Sequence, residues 1–162
     1  MSVRENTISI LVNNTPDVLA RIAGTFSGRG FNIESISANV TINPDVTKII
    51  ITTIGDQDTV TKLEKQLNKI VDILDVKDLT DVASAQREMI LIRMKVTDVN
   101  RDRLKQTVDT HGWKVVSTAA DCRILEVTGD RQEIDRALTV LEPMGLDDFT
   151  RTGIVALEQC KS

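Results

Sequence analysis

The stretch Arg29-Gly-Phe-Asn-Ile-Glu-Ser-Ile36 decides how this chain is read. Gly28-Arg-Gly30 at its front ends a helix, with Gly30 suited to the left-handed conformation of a helix C-terminus. Phe31 onward reads as a strand to about Val40. Upstream lies Asn13-Asn-Thr-Pro-Asp-Val-Leu19. Asn13 and Asn14 turn the chain. Thr15 is a candidate N-cap, and Pro16 fits the first helical position, where its missing N–H is not needed. Val18, Leu19, Ile22, Ala23 and Phe26 then recur at helical spacing. Before the turn, Thr7 to Val12 alternates as a strand with Ile8, Ile10 and Val12 on one side. Strand, Asn-rich turn, helix and strand form a small-molecule pocket without a catalytic group, which points to sensing and away from catalysis.

Working outward, Asn43-Pro44-Asp45 is a turn, and Thr47 to Ile54 is a strand rich in Ile and Thr. A helix follows Gly55-Asp56, with Val60, Leu63, Leu67 and Ile70 as its buried stripe. Val71 to Val76 closes a β-α-β-β-α-β unit, the ferredoxin-like pattern. Lys77 to Arg87 is polar and loop-like. The pattern then restarts: a strand over Glu88–Val96, a helix over Arg101–Thr110, strands over Trp113–Ser117 and Arg123–Thr128, a helix over Asp130–Leu141, and a last strand over Phe149–Leu157. The expected fold is therefore α+β, two tandem ferredoxin-like βαββαβ units, with domains at 1–78 and 88–162 and a linker at 79–87. Each unit exposes one sheet face and its edge strands, and dimerisation is the usual remedy.

Composition narrows the function classes. The 162 residues carry a net charge of −4 and only 2% aromatics. Nucleic-acid binders favour a basic face and stacking aromatics, so this class is disfavoured. One histidine, His111, and two cysteines, Cys122 and Cys160, give no metal-ligand spacing. The thiols fit a reducing compartment. Met1-Ser-Val-Arg-Glu-Asn-Thr7 has no apolar signal region, and no apolar run reaches bilayer length, so a cytoplasmic protein without a membrane span is expected. Gly28-Arg-Gly30 ends a helix and so does not match a dinucleotide loop, which opens one. His111 sits beside a helix-ending glycine with no nucleophile nearby in sequence, and fits a helix-terminal residue better than a general base.

Five stretches carry a resemblance: Asn14-Thr-Pro-Asp-Val-Leu19, Phe26-Ser-Gly-Arg-Gly-Phe-Asn-Ile-Glu-Ser35, Lys62-Leu-Glu-Lys-Gln-Leu-Asn-Lys69, Arg87-Glu-Met-Ile-Leu-Ile92 and Arg151-Thr-Gly153. Together they resemble the small, regulatory subunits of acetolactate synthase (acetohydroxyacid synthase), whose first half is an ACT domain, an amino-acid-sensing module. The resemblance implies a subunit with no active site or cofactor of its own. Its partner would be the large catalytic subunit, which uses thiamine diphosphate, Mg2+ and FAD. It also implies a homodimer through the ACT domain and feedback inhibition by a branched-chain amino acid, commonly valine. A stand-alone ACT-type sensor of a different enzyme is the alternative.

The resemblance also implies where the effector sits: between the helix start of one chain and the second strand of its partner. The expected site is Asn14, Thr15, Pro16, Asp17, Val18, Leu19, Asn32 and Ile33. Free backbone N–H groups at the helix start suit a carboxylate. Asn14 and Asn32 offer amides that donate and accept, and Val18, Leu19 and Ile33 an apolar wall. From the residues alone, Asn14 reads better as a turn residue and Val18 and Leu19 as ordinary core; the resemblance reverses this for Asn14 and Asn32. The family pattern usually has glycine where this chain has Asp17. Its carboxylate is expected to compete for the same N–H groups and to repel an effector carboxylate, although an acid in the first turn also suits the helix dipole. Free valine is therefore expected to bind weakly.

Overall fold

The computed structural model describes residues 3–160. The chain divides into two compact units, one comprising residues up to Gln86 together with those from Ile154 onward, the other Arg87–Gly153.

In the first unit, β1 (Arg4–Asn13), β2 (Ile33–Val40), β3 (Val46–Gly55) and β4 (Ile73–Asp78) form an antiparallel sheet in the order β2-β3-β1-β4. Two helices, α1 (Val18–Ser27) and α2 (Gln57–Leu67), connect them as a split βαβ pattern requires. Strand alternation puts Ile8, Ile10 and Val12 of β1 beside Ile49 and Ile51 of β3 on one face. Val18, Ile22 and Phe26 of α1 and Val60, Leu63 and Leu67 of α2 complete that core. Phe31 packs edge-on to Phe26 at 6.3 Å. A Cβ at Gly55 would lie 2.9 Å from the Phe31 ring, so the close approach needs glycine. Gly30 takes the expected left-handed conformation at φ 73°.

The helix start departs from expectation. Val18 N bonds to the Thr15 carbonyl at 3.3 Å, so residues 15–18 form a tight turn and α1 begins at Val18. Asp17, not Thr15, is the N-cap position, and Pro16 lies in the turn. The buried stripe runs i, i+4, i+8 through Val18, Ile22 and Phe26; Leu19 is 43% exposed and Ala23 is exposed.

In the second unit, β5 (Ser84–Lys95), β6 (Lys114–Thr118), β7 (Cys122–Gly129) and β8 (Leu146–Arg151) pair in the order β6-β7-β5-β8. The helices are α3 (Arg101–His111) and α4 (Arg131–Leu141). Ile90, Ile92 and Met94 meet Leu104, Val108, Ile134, Ala137 and Leu141 in its core. This is the same strand order as the first unit, so the two ferredoxin-like units are as expected. α4 opens on a capping box: Asp130 accepts from Glu133 N, and Glu133 accepts from Asp130 N.

Two boundaries differ. The expected last strand, Phe149–Leu157, is two strands, β8 and β9 (Val155–Glu158), separated where Gly153 turns at φ 79°. β9 belongs to the first unit: Ala156 packs with Ile50 and Leu79, and Glu158 pairs with Lys77 at 2.9 Å. The segment 79–87 is not a free linker either. Leu79 is buried, and β5 already begins at Ser84. The face of the first sheet opposite its helices therefore acquires its own small cluster, Ile50, Leu79 and Ala156, from within the chain.

Glu88 and Arg151 lie 63 residues apart and form one ion pair, with the Glu88 side chain 1% exposed. Arg151 Nη1 reaches Asp135 at 3.2 Å. Breaking a buried pair from one side leaves an uncompensated charge, whereas replacing both partners by apolar groups does not. Glu88→Ala is expected to lower unfolding stability by about 3 kcal/mol, and Glu88→Leu with Arg151→Met by clearly less. Urea denaturation of the three proteins measures both.

Candidate effector site

The β1–α1 turn is fastened at both sides by backbone bonds. Asn13 N donates to the Asp72 carbonyl at 2.8 Å, and Asn14 N donates to the Asp45 carbonyl at 2.8 Å. The Asn14 side chain donates through Nδ2 to the Pro44 carbonyl at 3.0 Å. Its amide thus holds the β2–β3 turn, as the turn-residue reading suggested, and leaves its Oδ1 for other use. Thr15 N bonds to the Asn13 carbonyl at 2.9 Å, and Thr15 Oγ1 is buried with no partner among the described residues.

No side chain caps α1. The first N–H groups of a helix have no intrahelical acceptor, so this helix start is open to an anion. Asp17 does not compete for these groups, contrary to expectation. Its carboxylate turns along the helix to Arg21, with Oδ2 at 3.2 Å from Nε. Arg21 is also bonded to Asp72. The hydrogen bond from Arg21, helped by the Asn13 amide, holds the Asp72 carboxyl below its ordinary range. The same bond to Asp72, with the charge of Asp17, raises Arg21. Two carboxylates against one guanidinium leave the turn with one excess negative charge. The i,i+4 spacing of Asp17 and Arg21 was readable in sequence; the Asp72 partner, 51 residues beyond Arg21, gave no local signal.

Of the other expected residues, Pro16 is exposed in the turn. Val18 is 3% exposed and belongs to the core, so within one chain it is no ligand wall. Leu19, beside it, is accessible. Asn32 exposes its side chain, while its carbonyl accepts from Thr53 Oγ1 at 2.6 Å. Ile33 packs half-buried against the core.

Sheet register separates these residues into two groups. Ile33 pairs with Thr53, which pairs with Asn6 at the start of β1. Asn13, next to Asn14, pairs with Val46 at the other end of β3. Asn32 and Ile33 thus sit a strand length, roughly 20 Å, from Asn14–Leu19 in the same chain.

Elsewhere, His111 stacks on Trp113 at 4.4 Å and its Nδ1 lies 2.9 Å from the Thr107 carbonyl. Both cysteines are free. Among the described residues, no group of three His, Cys, Asp or Glu is placed to hold a metal, and no helix is long and apolar enough to cross a membrane.

A family model described as the small subunit of acetolactate synthase matches residues 87–160, and one described as an AHAS small subunit-like ACT domain matches residues 8–75. The probable acetolactate synthase small subunit of Archaeoglobus fulgidus is 35% identical over 153 residues, covering 94% of this chain and 96% of that protein. The acetolactate synthase small subunit of Aquifex aeolicus is 36% identical over 158 residues, covering 97% and 82%. The crystal structure of the acetolactate synthase small subunit from Thermotoga maritima has a TM-score of 0.88 and 31% identity, covering 98% of this chain and 99% of that one.

The depressed Asp72 carboxyl has a stability consequence. A carboxylate whose folded pKa is lowered contributes stability that is present above its unfolded value, about 3.9, and lost as pH falls through the folded value. Asp56, Asp81 and Asp147 are lowered too, by their own hydrogen bonds. Glu64, raised by burial, acts in the opposite sense. The melting temperature is expected to fall steeply below about pH 4, and less steeply in Asp72→Asn. Circular-dichroism melts of both proteins between about pH 2 and 7 test this.

Proposed function

This chain belongs to the acetolactate synthase small-subunit family, and from that premise we propose that it activates the large catalytic subunit and makes it responsive to a free branched-chain amino acid, valine first. It is a regulatory subunit and needs no active site. The chemistry belongs to the catalytic subunit, whose thiamine diphosphate, Mg2+ and FAD this reading places on the partner. The observation that carries the reading is relatedness over nearly the full length of both units, joined to an uncapped α1 start at the position an ACT domain uses.

An unpaired edge supports a homodimer. Among the described residues β2 bonds only to β3, which leaves its outer N–H and C=O groups unpaired there. Ile36 and Ala38 pair with core residues Ile51 and Ile49, and so share the helix-bearing face. Yet Ile36 is 43% and Val40 55% exposed. A second copy pairing antiparallel along β2 covers these groups. Such pairing also sets the start of one β2 against the end of the other. That brings Asn32 and Ile33 of one protomer to Asn14–Leu19 of its partner, joining the two groups that one chain keeps apart.

Effector action then requires that the amino acid prefer one state of the assembled enzyme over another. Acetolactate formation by the catalytic subunit, with and without this protein and with and without valine, is the test. The expected result is activation, with valine lowering the activated rate within the roughly 5- to 150-fold span of allosteric coupling. No activation overturns the subunit reading in favour of a stand-alone sensor. Activation without any response to valine, leucine or isoleucine overturns the effector reading alone.

A further inference from the structure

The effector reading above is the basis for one step more. All four helices follow an acidic or amide residue, but they treat it differently: Asp56 and Asp130 cap theirs, whereas Asp17 before α1 and Asn100 before α3 do not. Asp56 accepts from Thr59 N at 2.8 Å, and Asp130 accepts from Glu133 N at 2.8 Å, so α2 and α4 are capped. Their capping residues are extended, with ψ of 163° and 174°. Asp17 has the same side chain at the same position before α1 and caps nothing. Its ψ is −2°, and its carboxylate lies against Arg21, one turn along. Arg21 is anchored in turn by Asp72, whose carbonyl receives Asn13 N from the same turn.

We propose that Arg21 is a positioning residue of the effector site: by holding the Asp17 carboxylate it keeps the first-turn N–H groups of α1 open to the α-carboxylate of an amino acid. Arg21 does two things at once. It draws the Asp17 oxygens away from the N–H groups of Leu19 and Ala20. It also offsets one of the two negative charges, Asp17 and Asp72, that an incoming carboxylate would meet. Without Arg21, Asp17 is free to extend and cap α1 as Asp56 and Asp130 cap their helices. Capping by aspartate stabilises a helix, so the released side chain would close the site by occupying it. Asp17 is therefore tolerated in this chain because Arg21 stands four residues after it.

Calorimetric titration of valine, leucine and isoleucine into the full chain tests this, with amide hydrogen exchange at Leu19 and Ala20 as a readout independent of ligand. Arg21→Gln is expected to weaken binding about ten- to hundredfold, the scale of hydrogen bonds to a charged group, and to slow exchange at Leu19 and Ala20. Adding Asp17→Gly to Arg21→Gln is expected to restore binding and fast exchange. Equal binding by wild type and Arg21→Gln overturns the inference. Asp72→Asn, which leaves Arg21 on Asp17, is expected to bind as wild type or more tightly; a loss as large as that of Arg21→Gln overturns it too, since Arg21 would then act only by anchoring the turn. If wild type, Asp17→Gly and the other variants all bind none of the three amino acids, the effector reading fails. The inference then falls with it; where binding is seen, unchanged exchange in Arg21→Gln overturns the inference alone.

Discussion

An edge strand with one bonded neighbour constrains everything around it. β2 presents free backbone groups on its outer side, with Ile36 and Val40 partly uncovered on the face where helices pack. An edge of this kind is a liability unless it is paired or covered. The first sheet's other open surface is handled within the chain: β9 returns to it, and Ile50 is buried against Leu79 and Ala156. Among the described residues, no comparable segment covers the helix-side apolar residues of β2. The same constraint organises the candidate site, because only a partner laid along β2 brings Asn32 to Asn14. In the proposed dimer, oligomer and site are one feature.

The sequence was most legible where a period and a punctuation residue agree. The β1 alternation, the α2 stripe and the Gly30 and Gly112 stops all coincide with observed boundaries to within a few residues. It was least legible where a distant partner decided the outcome. Polar residues before Arg87 read as a linker, but β5 starts at Ser84 and pairs with β9. Phe149 to Leu157 read as one strand because only the positive φ of Gly153 shows the break. Glu88 and Arg151 each stood in a recognisable motif, yet nothing local linked them; the fold makes them one buried pair.

The candidate site divides along the same line. Asn14 through Asp17 gather at one turn because they are consecutive. Their roles were harder to read. Thr15 looked like a cap by residue type, but the turn closed by Val18 N places the cap position at Asp17. Asn14 looked free to meet a ligand, but Pro44 takes its Nδ2. Val18 counted as both wall and core, and burial assigns it to core.

The Asp17–Arg21–Asp72 arrangement is better explained by what it leaves open than by what it holds. The Asp17–Arg21 pair, with Asp17 68% exposed, contributes little to folding, since solvent screens it and ordering long side chains opposes it. A capping bond from Asp17 would serve the helix better. The chain instead spends the carboxylate on a guanidinium and leaves the N–H groups of α1 without a side-chain acceptor. Asp56 and Asp130, with extended backbones, cap α2 and α4, whereas Asp17 and Asn100, in the αR region, cap neither α1 nor α3. A helix start kept open at the expense of its own cap has a physical rationale if another carboxylate is to occupy it. The excess negative charge left by Asp72 then sets a limit on how tightly that carboxylate is held, and so ties effector affinity to the same three residues that shape the turn.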